Sequence, residues 1–157
     1  MVAQAPTPTS YWVVPGRLLA GCYPEDAGAL AAAGVTRFLD LTEEGKLAPY
    51  VDGLGSGVRW RRFPIRDLGV PTEAELVGIL DAIDDALARG ETVYVHCAGG
   101  LGRTGTVVAC HLVRHGAAPE EALRRVAASI ETTEMAGRDS PETDEQMALV
   151  RSWRAGR

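Results

Sequence analysis

The sequence predicts a single α/β domain with a mostly parallel central sheet of about four to five strands, flanked by helices. Short β-rich segments alternate with helical ones along the chain, which is typical of a parallel sheet covered by helices. The length of 157 residues suits one domain with its own hydrophobic core. The Pro- and Thr-rich residues 1–10 are interpreted as a flexible N-terminus, and residues 11–157 as the domain.

The first half of the chain predicts strands separated by one helix. Apolar residues on either side of Pro15 indicate two short strands joined by a turn. The alanine-rich stretch 25–33 favours a helix, which a glycine follows. Strands are predicted over 36–41 and 58–65, with an irregular connection between them.

The second half contains the best-supported helix and the segment that carries the chemistry. Thr72 and Glu75 form the pattern of a capping box, and apolar residues follow at helical spacing up to Gly90. The remaining predicted elements are a strand over 91–97, a helix over 106–115, and two further helices that open at Pro119 and at Ser140-Pro141.

Composition and charge limit the classes of partner. With a formal net charge of -5, nothing global attracts nucleic acid or an anionic membrane, so we expect neither as a partner. The three cysteines have no paired spacing, which argues against a disulfide framework and suits a reducing compartment. The N-terminus lacks the pattern of a signal peptide, and no stretch approaches a membrane span. We therefore expect a cytoplasmic protein, and we expect it to be a monomer.

The stretch VHCAGGLGRTG, residues 95–105, joins the predicted strand to the next helix. Its glycines allow the backbone to turn sharply and point N–H groups inward, and the helix adds the positive end of its dipole. These features form an anion-binding nest with Cys97 at its base. Such surroundings favour a thiolate, and the planar guanidinium of Arg103 can bind two phosphate oxygens.

The segment HCAGGLGRT resembles the signature of the protein tyrosine and dual-specificity phosphatase superfamily, which is His-Cys, five residues, then Arg-Ser/Thr. The resemblance implies that Cys97 attacks phosphorus and that Arg103 binds the phosphate and stabilises the transition state. It implies that Thr104 donates a hydrogen bond to the sulfur and that His96 holds the loop in shape. The phosphate-binding loop would consist of Ala98, Gly99, Gly100, Leu101, Gly102 and Arg103.

A general acid is needed to protonate the leaving oxygen. Asp67 lies 30 residues before the cysteine on a predicted loop, which resembles the position of the acid in dual-specificity phosphatases. The alternative is a solvated loop carboxylate paired with Arg66 or Arg62. Asp40 is the next candidate, but it lies inside a predicted strand and is interpreted as structural.

Three further predictions concern single residues. Gln146 resembles a water-positioning glutamine of some relatives, and the alternative is a polar residue on a surface helix. Cys22 and Cys110 are interpreted as small buried hydrophobic residues, either of which could trap an oxidised catalytic cysteine. His115, near a helix end, is expected to interact with the helix dipole rather than with a ligand.

Other classes of protein fit the sequence less well. The segment GLGRTG matches G-x-G-x-x-G, but a dinucleotide-binding fold requires a further strand where the chain predicts a helix. No Gly-Lys-Ser/Thr is present for a nucleotide-binding P-loop, and no paired Cys/His spacing for zinc. Small arsenate reductases and low-molecular-weight phosphatases place their loop near the N-terminus. A pseudophosphatase usually lacks the nucleophile, the arginine or the acid, all of which are present here.

The resemblance implies hydrolysis of phosphate monoesters through a phosphocysteine intermediate, without a metal or a cofactor. A phosphorylated protein is the expected substrate, with phosphotyrosine first and dual specificity as an extension. A small phosphorylated metabolite, an inositol phosphate or an RNA 5′-phosphate is the alternative. The loop contains no lysine, which disfavours highly charged inositol lipids.

Overall fold

The computed structural model describes residues 4–157 and contains a five-stranded sheet with the strand order β1-β2-β5-β3-β4. The strands are β1 (Ser10–Val14), β2 (Leu18–Gly21), β3 (Val35–Asp40), β4 (Arg59–Arg62) and β5 (Thr92–His96). The helices are α1 (Ala27–Ala32), α2 (Glu73–Ala88), α3 (Gly102–Arg114), α4 (Pro119–Ile130) and α5 (Asp144–Ser152). Only β1 and β2 pair antiparallel, and the other pairs are parallel. The predicted fold class is confirmed.

The two faces of the sheet bury separate apolar clusters. The larger cluster packs side chains of α2, α3, α4 and α5 against one face. The smaller one covers the other face with α1 and the connection that precedes β4. Every residue of α3 except Arg114 is buried, so this helix lies inside the domain with its first turn fixed against the end of the sheet. Within residues 4–157, no helix has both the length and the apolar character that crossing a membrane requires.

Two predicted helix starts are wrong, and both concern the site. Helix α3 begins at Gly102 rather than at residue 106, because the last glycines of the loop already form its first turn. Helix α5 begins at Asp144 rather than at Ser140-Pro141. Its N-cap is Thr143, whose hydroxyl accepts from the backbone of Gln146 in a capping box.

The N-terminal boundary differs slightly from the predicted one. Strand β1 already includes Ser10, and the carbonyl oxygen of Pro8 accepts a hydrogen bond of 2.9 Å from the N–H of Glu134. Residues 1–3 lie outside the described part of the chain, so the flexibility of residues 1–10 stays a prediction.

Parallel pairing brings the strand ends that build the site to one edge of the sheet. Gly21 of β2 and Asp40 of β3 both pair in register with His96, the last residue of β5. Cys97 follows directly. In open parallel sheets, the carboxyl ends of the strands are where ligands bind, so the topology places the predicted loop at the expected edge.

Candidate active site

Cys97 lies at the base of the loop between β5 and α3 and is only 3% exposed. Its Sγ accepts two hydrogen bonds, at 3.2 Å from the N–H of Gly100 and at 3.0 Å from the hydroxyl of Thr104. Thr104 is fully buried in the first turn of α3. Hydrogen bonds of this kind stabilise negative charge on sulfur, and they are directed at the atom that would act as nucleophile.

The glycines of the loop are required for different reasons. Gly100 has a φ of 76°, and a Cβ there would lie 2.7 Å from both the backbone N of Cys22 and the backbone C of Gly21. A Cβ on Gly102 would lie 2.7 Å from Glu142 Oε1. Gly99 differs, because a Cβ there would have no atom within 4 Å. The loop therefore needs glycine where it packs against its neighbours and not where it faces outward.

His96 contacts the backbone on which Cys97 sits. Its Nδ1 lies 2.9 Å from the carbonyl oxygen of Cys97, which can only accept, so Nδ1 carries the proton. Its Nε2 then accepts from the hydroxyl of Tyr50. Burial lowers the pKa of His96, and burial raises the pKa of Tyr50, so the imidazole stays neutral and the hydroxyl stays protonated at neutral pH. These contacts tie Tyr50 to the backbone beneath Cys97, and the role of His96 in holding the loop in shape stays a prediction.

Arg103 and Asp67 meet at the mouth of the loop. The Arg103 side chain is 5% exposed, and its Nη2 lies 3.2 Å from Asp67 Oδ1. Its Nη1 donates to the carbonyl oxygen of Ile65 at 2.9 Å, which holds the guanidinium toward the loop. The Asp67 side chain is 67% exposed, and the backbone N–H of Asp67 donates to Glu43 Oε1 at 3.3 Å. The alternative pairing of Asp67 with Arg62 or Arg66 is wrong, since its partner is the arginine of the phosphate loop.

Asp40, the second candidate acid, is engaged in structural contacts. Its Oδ1 accepts from the backbone N–H of Thr42 at 2.8 Å and from its hydroxyl at 2.5 Å. Its Oδ2 accepts from Trp60 Nε1 at 3.2 Å and lies 3.7 Å from Arg62 Nη2. With a side chain 4% exposed, Asp40 is a buried carboxylate that ties β3 to β4.

A family model described as the DSP-PTPase phosphatase domain of the Swiss Army Knife protein (PTP-SAK) matches residues 7–156. The chain belongs to the dual-specificity and tyrosine phosphatase superfamily. The predicted resemblance is thereby confirmed, and it extends over almost the whole domain rather than over the signature alone.

Relatives of known name support the same assignment. A tyrosine phosphatase of Invertebrate iridescent virus 3, provisionally named 067L, is 37% identical over 113 residues, which are 63% of this chain and 43% of that protein. Its provisionally named counterpart 197R from Invertebrate iridescent virus 6 is 32% identical over 137 residues, or 79% of this chain and 49% of that protein. Mouse phosphatidylglycerophosphatase and protein-tyrosine phosphatase 1 is 38% identical over 95 residues, which are 59% of this chain and 45% of that protein. The chain thus spans less than half the length of these relatives.

Solved structures have the same fold. The phosphatase Tk-PTP in its active form is 28% identical and superimposes with a TM-score of 0.78 over 91% of this chain and 94% of that chain. Kinase associated phosphatase is 22% identical and superimposes with a TM-score of 0.71 over 94% of both chains. At this identity, the similarity shows a shared fold alone.

Gln146 occupies an unexpected place in this phosphatase-family domain. It is fully buried, so the alternative of a surface-helix residue is wrong. Its amide oxygen accepts from the backbone N–H groups of Glu142 and Thr143, and its amide nitrogen donates to the carbonyl oxygen of Gly69 at 3.1 Å. Gln146 therefore attaches the loop that carries the candidate acid to the start of α5. Its water-positioning role stays a prediction.

The cleft beside Arg103 has a volume of about 180 Å³. It is lined by Thr42, Glu43, Lys46, Leu47, Asp67, Ala98 and Arg103. Glu43 and Lys46 add one acidic and one basic side chain to its wall. Sequence reasoning missed both, because they lie in the irregular connection after β3, where no motif or periodicity singles them out.

Cys22 and Cys110 are free thiols outside the loop. Burial raises the pKa of Cys110 to about 12, so it stays a thiol within the core. Burial is also the main cause of the raised pKa of Cys22, which is half-buried at the end of β2. Trapping of an oxidised Cys97 by either residue stays a prediction.

Proposed function

We propose that this domain hydrolyses phosphate monoesters through a phosphocysteine intermediate at Cys97, with phosphotyrosine as the leading substrate and dual specificity as its extension. The observation that carries the proposal is the convergence on one loop of a hydrogen-bonded sulfur, a buried guanidinium and a carboxylate. Thr104 and Gly100 donate to the sulfur, and Arg103 lies 3.2 Å from Asp67. Phosphoryl transfer depends mainly on positioning and charge stabilisation, and this geometry offers both.

In the proposed first step, the thiolate of Cys97 attacks phosphorus, so that a P–S bond forms while the P–O bond to the leaving group breaks. The backbone N–H groups of the loop and the guanidinium of Arg103 stabilise the charge on the equatorial oxygens. When Arg103 turns from Asp67 to the phosphate, the carboxylate of Asp67 loses its cationic partner and takes up a proton from solvent. The protonated carboxyl then gives this proton to the leaving oxygen.

In the proposed second step, water attacks the phosphocysteine and the P–S bond breaks. Asp67, now ionised, accepts the proton of the water. The hydroxyl of Thr104 donates to the departing sulfur and stabilises its negative charge. This step returns Cys97 to the thiolate. Because a thiolate persists only under reducing conditions, we also propose that the domain acts in a reducing compartment such as the cytoplasm. We further propose that it acts as a monomer.

A small phosphorylated molecule or a phosphorylated lipid is the second candidate substrate. The basic side chain of Lys46 on the cleft wall favours it, since a second anionic group could bind there. The name of the mouse relative, which includes a lipid phosphatase activity, points the same way. Glu43 on the same wall and the absence of lysine from the loop favour a less charged phosphoester.

The first experiment measures hydrolysis of p-nitrophenyl phosphate by the wild type and by Cys97→Ser, with a chelator present. We expect turnover by the wild type alone. A panel of phosphotyrosine, phosphoserine and phosphothreonine peptides and phosphorylated small molecules then ranks the substrates. An active Cys97→Ser variant would refute the proposed nucleophile.

The acid is tested with aryl phosphates of increasing leaving-group pKa. Asp67→Asn should lose about 100-fold or more in kcat for poor leaving groups and much less for good ones, as expected of a lost general acid. Glu43→Gln is the matched control, because it removes another carboxylate from the same cleft. If both variants lose the same factor across the series, Asp67 is not the acid.

A further inference from the structure

His111 of α3 and His115, the residue that caps the C-terminal end of this helix, lie one turn apart and meet an aspartate of α2. His115 Nε2 lies 2.8 Å from Asp84 Oδ1, and His111 Nδ1 lies 3.8 Å from the same oxygen. One ligand-type atom from each of the three residues lies within 4.8 Å of the others. The cluster is separate from the phosphate loop, which adjoins the opposite end of α3.

His111 has an unsatisfied ring nitrogen in this cluster. Its side chain is 4% exposed, and Nδ1 has no hydrogen-bond partner among the described residues. Buried polar atoms without a partner are rare and call for a physical reason.

The carboxylate of Asp84 is oriented by Arg114. Nη1 of Arg114 lies 3.1 Å from Asp84 Oδ2, which leaves Oδ1 directed at the two histidines. The same nitrogen lies 2.8 Å from Asp81 Oδ1, so the positive charge of Arg114 is shared between two carboxylates. Metal-binding carboxylates are usually held by outer hydrogen bonds of this kind.

We propose that Asp84, His111 and His115 form a zinc-binding site that joins α2 to α3. Two imidazoles and a carboxylate are typical ligands of Zn²⁺ and do not suit Mg²⁺ or Ca²⁺. Bond lengths of about 2.0–2.2 Å place tetrahedral ligand atoms roughly 3.3–3.6 Å apart. The two histidine nitrogens lie 2.8 and 3.8 Å from Asp84 Oδ1, and all three ligand atoms lie within 4.8 Å of one another, so adjustments of up to about 1.5 Å would complete the site. The half-exposed side chain of His115 can make such an adjustment.

The fourth coordination position would face solvent. A surface cavity of about 840 Å³ adjoins the cluster, and Glu121 and Arg125 also line it. The site has no part in the proposed phosphoryl transfer, because Cys97 and Arg103 lie at the other end of α3. No motif in the sequence predicts this site, since the third ligand comes from another helix and only the fold brings it to the histidines.

The test titrates Zn²⁺ into the full chain without a tag, by calorimetry and by thermal denaturation. The background is Cys97→Ser, because Zn²⁺ also binds thiolates and the catalytic sulfur must be removed. Asp84→Asn and His115→Gln are the site variants. Asp85→Asn is the matched control, since Asp85 is the next acid on α2 and lines a different cavity.

We expect one Zn²⁺ per chain and a higher Tm with zinc for the background and for the Asp85→Asn control. The site variants should bind at least about tenfold more weakly. Co²⁺ should give visible absorption in the background that His115→Gln abolishes. Should Asp84→Asn fail to fold, His115→Gln decides, because its side chain is half-exposed. Absence of Zn²⁺ binding, or equal affinity of His115→Gln and the background, would overturn the proposal.

Discussion

Replacement of Gly100 by alanine tests whether the phosphate loop depends on one backbone position. Gly100 has a φ of 76°, in the left-handed region that favours glycine. The added Cβ would lie 2.7 Å from the backbone N of Cys22 and from the backbone C of Gly21. Both are main-chain atoms, one in the last residue of β2 and one in the residue that follows it, so no side chain can rotate to make room. The loop must move away from the sheet edge.

The expected cost has two parts. Left-handed backbone costs an alanine about 1–2 kcal/mol, and overpacking against fixed neighbours costs about 1–3 kcal/mol. Together they give about 2–5 kcal/mol, which is roughly 4–20 °C in Tm for a domain of this size. A loop displaced by about 1 Å also loses alignment of its N–H groups, so kcat/KM should fall by about 100-fold or more.

The assay is thermal denaturation with hydrolysis of p-nitrophenyl phosphate, and the matched control for stability is Gly99→Ala. That position lies in the same loop, has no atom within 4 Å of the added Cβ, and has no positive φ. Its free energy of unfolding should change by less than about 0.5 kcal/mol. If Gly100→Ala melts at the same temperature as Gly99→Ala and retains wild-type kcat/KM, the close approach of loop and strand end does not exist in solution.

Three further predictions follow from buried polar contacts. Thr104→Val removes the hydroxyl that lies 3.0 Å from the sulfur of Cys97. A hydrogen bond to a charged group contributes about 1.5–3 kcal/mol, so breakdown of the phosphocysteine should slow by about 10–100-fold. Stopped-flow kinetics should then show a burst of released leaving group. A wild-type kcat without such a burst would contradict the role of Thr104 in the second step. Gln146→Ala leaves buried N–H and C=O groups without partners. The free energy of unfolding measured in urea should therefore fall by about 2–4 kcal/mol. Glu145→Ala, at the exposed neighbouring position, should change this free energy little, and equal effects of the two variants would refute the buried role of Gln146. The pKa of His96 is lowered by burial, so the unfolded chain binds more protons below about pH 6.5 and stability falls as the pH drops through that range. His96→Asn should flatten this dependence between about pH 7 and 5, and an unchanged slope would show that His96 does not contribute.

The chemistry of the phosphate loop could be predicted because it is local. A strand, a cysteine, a glycine-rich turn and the first turn of a helix follow one another in 95–105, so their order already implies an anion site at a helix N-terminus. The predicted start of α3 is nevertheless too late, because glycine weakens a helix prediction although these glycines form the first turn of the helix. The capping box at Thr72 is equally local and is confirmed.

Contacts between distant segments could not be predicted in the same way. Gln146 looks like one polar residue among many near a helix start, yet it is buried and holds the loop of the candidate acid. Tyr50 comes from a connection without regular structure and reaches His96 across 46 residues. Neither pairing leaves a periodic pattern, because each is formed by two segments that meet only after the sheet has assembled.

The sequence by itself determined the fold class and the position of the phosphate loop, with Cys97 as its candidate nucleophile and Arg103 as its candidate phosphate ligand, because each depends on neighbouring residues or on regular spacing. The tertiary structure decided that Asp67 lies beside Arg103, since the loop after β4 and the phosphate loop meet only once the sheet has assembled. It also decided that Asp84 joins the two histidines at the C-terminal end of α3. A side chain acquires a partner from another helix or strand only through packing, and packing depends on the whole chain.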